Sequence, residues 1–156
     1  MAENAENLEI ELDGKTVRFV HRLLYDYKTF DAAIRQTEAQ LEDLFPGRSR
    51  SYIITGIIPS HSPVDTSETE RWGIERVEGR RAARLRQQIQ DKLRWKAGIE
   101  EALALADDVG RRIYQLRYAE ERPHYRVAKL LDLPQRTYYR LHKRFIVLVA
   151  KCLGQA

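Results

Sequence analysis

From Thr16 onward, apolar positions recur along the chain at alternating spacings of three and four: Val20, Leu23, Tyr27, Phe30, Ile34, Thr37, Leu41 and Leu44. A helix turns once every 3.6 residues, so this spacing gathers them on one side and predicts a long amphipathic helix with a heptad seam. Such a seam has two uses: it folds against a second long helix of the same chain, or it joins copies of the chain, and periodicity does not choose between them. The pattern stops at Phe45. A stretch dense in Pro, Gly and Ser follows to about residue 66, around a small apolar island of Tyr52, Ile53, Ile54, Ile57 and Ile58 that is expected to pack on neighbouring helices. Thr66 or Ser67 with Glu70 then forms a capping box. It opens a second long helix whose apolar side is Ala82, Leu85, Ile89, Leu93, Ile99 and Leu103, with Trp72 and Trp95 as larger packing pieces and Gly73, Gly79 and Gly98 loosening it.

The last third of the chain changes rhythm. Asp107 and Asp108 start a short helix with Val109, Ile113 and Leu116 on one side. Further on, Val127, Ala128 and Leu131 form an apolar stripe, with Ala128 small where another helix would cross. Asp132 ends that helix, at a position reaching positive φ at some cost, Leu133 plugs the turn, and Pro134 suits the first position of a new helix. In the new helix Tyr138, Leu141 and Phe145 should face the core. Gln135, Arg136, Tyr139, Arg140, Lys143 and Arg144 are left toward solvent. The chain is therefore expected to be all-α, with extended N-terminal helices (a coiled coil or helical hairpin) and a C-terminal helix-turn-helix domain. The segments are a polar tail over 1–15, a long helical region over 16–105 with a loop at about 45–66, and the helix-turn-helix over 106–156. A low count of 8 Gly and 5 Pro against 32% charged residues agrees with a helical chain.

Charge sharpens this picture. The formal net charge of +4 hides an asymmetry: residues 109–156 hold 11 Lys and Arg against 3 Asp and Glu, a balance of +8, so the first 108 carry −4. A basic helix following a tight turn points to double-stranded DNA, with the first turns of that helix at base edges. Gln135, Arg136, Tyr139 and Arg140 are the candidates for base readout, Arg pairing with guanine and Gln with adenine, while Lys143 and Arg144 lie a turn further on and suit phosphate. The basic run Arg80, Arg81, Arg84 and Arg86 is flanked by acids and reads as a solvated helical face. One cysteine, Cys152, excludes an internal disulfide. His21, His61, His124 and His142 are scattered without metal-ligand spacing, so each is expected as a surface or half-buried polar residue. No phosphate loop, Ser/His/Asp set or carboxylate cluster suggests an enzyme, and no cofactor is expected. Neither a signal peptide nor an apolar run long enough for a bilayer is seen, so no membrane partner is expected and the cytoplasm is the expected compartment.

Ile113, Tyr114, Gln115, Leu116, Arg117 and Tyr118, followed by Val127 through Pro134 and then Thr137, Tyr138, Tyr139 and Arg140, resemble phage late transcription regulators of the RinA and ArpU type. Their C-terminal half looks like region 4 of sigma factors. Tyr27 and Lys28 near the start of a helical N-terminal part, the Pro/Gly/Ser-rich spacer and the second charged helix extend the likeness over most of 20–154. Asp132 in place of the common Gly and Pro134 in place of the common Ser depart from the usual turn. The resemblance implies a sequence-specific DNA-binding activator of phage late or packaging genes, working in the cytoplasm of a bacterial host, with Gln135, Arg136, Tyr139, Arg140 and Lys143 facing DNA. Host RNA polymerase is a candidate partner, and so is a second copy of the chain through residues 20–44. A phage small terminase subunit, which also joins a helix-turn-helix to oligomerising helices, is the alternative. In those subunits the module usually comes first in the chain.

Overall fold

The computed structural model describes residues 12–45 and 68–155, with only the backbone for 68–78. The N-terminal tail to residue 11, the isoleucine island, the capping residues Thr66 and Ser67, the Trp72 side chain and His61 lie outside the described residues. All regular structure among the described residues is helical. The helices are α1 (Gly14–Asp26), α2 (Phe30–Leu44), α3 (Glu68–Leu105), α4 (Asp108–Tyr114), α5 (His124–Leu130) and α6 (Gln135–Cys152). A 3-10 turn at Tyr27–Thr29 separates α1 from α2, and a π turn at Gln115–Ala119 prolongs α4. No described helix is long and apolar enough to cross a membrane.

The helices sort into two compact units. One runs from Thr29 to Arg94, and the other takes the chain through Lys28 and from Trp95 onward. The expected seam is divided between them by the 3-10 turn. In the first unit α2 buries Phe30, Ile34, Thr37 and Leu41. Ile34 and Leu41 share a core with Ala82, Leu85 and Ile89 of α3, and Leu44 and Phe45 pack against it. Thr37, the one polar seam position, satisfies its buried hydroxyl by donating to the Ala33 carbonyl one turn back at 2.8 Å. These seam positions are thus buried within a single chain.

Leu93 does not follow the expected apolar side of α3, being 50% exposed. Its helix passes from one unit to the other between Arg94 and Trp95, and the buried stripe resumes at Gly98, Ile99, Ala102 and Ala106. Gly98 corrects a second expectation, that it loosens the helix. A Cβ there would stand 2.9 Å from Leu153 Cδ2 and 3.0 Å from the Cys152 carbonyl oxygen, so the missing side chain is what lets α3 meet the end of α6 closely.

In the second unit α1 buries Val20, Leu23 and Leu24 and packs on α6. Phe19 meets Trp95 edge to face, with ring centroids 5.7 Å apart. Asp107 caps α4 by accepting from the Gly110 amide at 2.7 Å, and Ile113 is fully buried. Beyond α4 the backbone widens into the π turn, in which the Glu120 amide reaches back to the Gln115 carbonyl at 2.9 Å. Tyr118 is fully buried there.

Candidate nucleic-acid interface

The segment from α5 to α6 is two helices and a four-residue turn. Val127 and Ala128 are buried on α5, and Leu131 is half-buried. The end of α5 is closed by a left-handed residue: Asp132 has φ 53°, its amide bonds the Lys129 carbonyl at 3.2 Å, and the Leu133 amide bonds the Ala128 carbonyl at 3.0 Å. This is a Schellman closure, usually built on glycine, here built on the aspartate flagged as a departure. Pro134 has φ −55° and ψ 140°, extended rather than helical, so it precedes α6 as its N-cap and Gln135 is the first helical residue. That shifts the expected helix start by one position.

Helix α6 divides by face. Tyr138, His142, Phe145, Ile146, Val149 and Ala150 are buried, and Leu141 is half-buried. Gln135, Arg136, Tyr139, Arg140, Lys143 and Arg144 are all exposed. None of these four cations is in an ion pair among the described residues, so their charge is not neutralised by the fold. From His124 to Cys152 the chain holds seven Lys and Arg and one acid, Asp132. The exposed Tyr139 ring is steadied from below, with centroids 5.6 Å from His124 and 5.3 Å from Tyr138. Of the earlier basic run, Arg80, Arg81 and Arg84 are exposed, whereas Arg86 lies over the Phe45 ring at 5.8 Å.

What fixes the inner face of α6 was not visible in sequence. Three histidines, far apart along the chain, come together around two buried tyrosines. The Tyr118 hydroxyl lies 2.8 Å from His21 Nδ1 and 2.9 Å from His142 Nε2. The Tyr138 hydroxyl lies 2.7 Å from His124 Nδ1. Tyr25 meets Tyr118 edge to face at 5.0 Å, and the Arg117 guanidinium sits 5.3 Å over the Tyr25 ring while donating to the Arg122 carbonyl at 3.1 Å. Helix α1, the π turn, α5 and α6 each contribute a side chain to this network. It includes His142, buried one helical turn beyond Tyr138, where a surface or half-buried residue was expected; the spacing of four was the signal that could have placed it.

Burial dominates the protonation of the cluster. It lowers the pKa of His21 and His124, with the Arg117 charge acting in the same direction on both. His142 is pushed down to about 3 by burial, reinforced by His124, His21 and Arg117. Burial also raises Tyr118, and takes Tyr138 up to about 12. All five groups are therefore neutral near pH 7. Among the described residues no set of three or more His, Cys, Asp or Glu is placed to hold a metal ion.

Fold and site define a protein that is helical in all its described regular structure and carries an exposed cationic helix edge. Compared with protein-family models, curated proteins and solved structures, it finds no match.

Proposed function

We propose that α5, the turn and α6 form a helix-turn-helix that binds double-stranded DNA, with α6 in the major groove. One observation carries this: all six residues picked from helical periodicity as DNA-facing are exposed, their cations without an ion pair among the described residues, while the opposite face of the same helix is buried. Gln135, Arg136, Tyr139 and Arg140 occupy the first turns and read base edges; Lys143 and Arg144 meet phosphate. The preferred role is a sequence-specific transcriptional activator of phage late or packaging genes, as the resemblance implies. Assembly through residues 20–44 draws little support from the fold, because Val20, Leu23, Phe30, Ile34, Thr37 and Leu41 are already buried within one chain. That leaves the regulator ahead of the small terminase subunit, the reading that relies on oligomerising helices.

The test begins by selecting bound fragments from phage and host genomes to obtain a site. Arg136→Ala and Arg140→Ala should each cost ~1–3 kcal/mol on that site and relax its sequence preference. Lys143→Ala should weaken binding to all sequences alike and flatten the salt dependence by about one unit. Equal losses on selected and random DNA for all three variants contradict base readout. A ring of many copies in native mass spectrometry would favour the packaging reading instead.

A further inference from the structure

The histidine and tyrosine cluster holds more than is needed to position a helix. Ring centroids of His142 and His21 are 5.5 Å apart, and those of His142 and His124 are 5.1 Å apart. Tyr118 has one hydroxyl hydrogen and two imidazole neighbours, so it donates to one of them and accepts an N–H from the other. This order exists only while the accepting imidazole is neutral. Adding a proton there leaves three hydrogens for two contacts, so either one contact opens or the Tyr118 O–H must turn out of both.

Among the described residues, nothing facing the cluster offsets the added charge. Facing the cluster are His21 and Tyr25 from α1, Tyr114 from α4, Arg117 and Tyr118 from the π turn, His124 from α5, and Tyr138, Tyr139 and His142 from α6. None is a carboxylate. Among these groups the permanent charge is the Arg117 guanidinium, which is positive and whose buried Nε has no hydrogen-bond partner among the described residues. A second positive charge would be desolvated and repelled together.

We propose that the Tyr118, His21, His142 and His124 cluster is a proton-sensitive latch on α6: protonating its histidines breaks the hydrogen-bond order that ties α6 to α1, α5 and the π turn, and so withdraws the cationic edge. The DNA consequence rests on the reading above; the latch itself does not.

The direction of the pH dependence follows from linkage. Imidazoles of the unfolded chain take up protons near pH 6.5, whereas the folded ones, with lowered pKa, stay neutral. The unfolded chain therefore binds more protons on acidification. Stability is fully present above about pH 6.5 and is lost as pH falls below it, over a window that for His142 extends to about 3. DNA binding should follow the same direction. Histidines at an exposed DNA-facing surface would do the opposite, since protonation there adds attraction to phosphate.

Urea denaturation of the full chain at about pH 7.5 and about pH 5.5 tests the latch. The comparison is His21→Asn combined with His142→Gln, whose amides stand in for Nδ1 and Nε2 but take no proton. Between these pH values the wild-type folding constant should fall by up to about tenfold for each histidine that stays neutral, and the double variant should be spared up to about a hundredfold of that loss. Equal pH dependence in both chains, or a flat wild type, overturns the latch. If the double variant does not fold, imidazole proton resonances of the wild type decide. His142 should keep its neutral-form shifts in the folded protein at about pH 5.5, and His21 and His124 should titrate below the ordinary imidazole range; ordinary titration of all three near 6.5 overturns the proposal. A random-sequence duplex followed by fluorescence anisotropy completes the set. Binding should weaken on acidification in the wild type and less so in the variant, which keeps His124. Acid-sensitive stability with no duplex binding at about pH 7.5 upholds the latch and sinks the DNA reading, while duplex binding with acid-flat stability does the reverse.

Discussion

The two compact units bury their interiors by different means. Between Thr29 and Arg94 the core is aliphatic, built on Ile34, Leu41, Ala82, Leu85 and Ile89, and its one polar seam residue is satisfied within its own helix. The unit that carries α6 buries Val20, Leu24, Ile99, Val127 and Val149, and with them Tyr118, Tyr138 and His142, whose polar atoms have partners on other elements. An aliphatic core is stabilised by area removed from water and is indifferent to pH. A polar core depends on each donor meeting its acceptor, so it fixes geometry closely and fails when a proton is added or a hydroxyl removed.

The contrast is sharpest under substitution. Leu41 is fully buried, so Leu41→Ala should have the largest effect, destabilising by ~2–5 kcal/mol through lost transfer energy and the cavity left behind. Urea denaturation should return the same loss at about pH 7.5 and about pH 5.5, since no ionisable group belongs to that cluster. A loss that changes with pH would mean that the two interiors are not independent. Next in size is Tyr118→Phe, which keeps the ring and removes the hydroxyl shared by His21 and His142. It should cost ~1–3 kcal/mol, because an imidazole nitrogen is left buried without a partner. An unchanged melting midpoint would show that this hydroxyl contributes shape alone.

The same contrast explains what could be read from the chain. Aliphatic periodicity placed Val20, Leu23, Ile34 and Leu41 inside, and on α6 it separated Tyr138 and Phe145 from the six exposed residues, because a helix converts spacing directly into a face. It gave no warning of the 3-10 turn that divides the seam, since Tyr27 and Phe30 keep the apolar rhythm across it. The histidine network was hidden for a different reason. His21 lies 97 residues from Tyr118, and His142 lies 24 residues from it, so no local pattern joins them. The π turn that sets Arg117 and Tyr118 in place also has no residue signature. Gly98 was misread because propensity scores only the helix that contains it, and the deciding contact is with Cys152 and Leu153.

The smallest expected effect concerns the two helix ends built alike on different residues. Gly154, with φ 68°, closes α6 by bonds from its own amide to the Lys151 carbonyl and from the Gln155 amide to the Ala150 carbonyl, both 2.9 Å. Asp132 closes α5 with the same pair of bonds at φ 53°, and there a Cβ carries the cost of the left-handed region. Asp132→Gly should therefore stabilise by ~0.5–1 kcal/mol, the relief of strain being partly offset by a more flexible unfolded chain. Asp132→Asn, whose side chain tolerates the same region, should change stability less. Both variants remove the one acid between His124 and Cys152, so both should strengthen duplex binding at low salt by a similar factor. If glycine helps folding and both variants help binding, strain and charge at this turn are separate effects. If only glycine improves binding, the turn's conformation rather than its charge governs how α6 meets DNA.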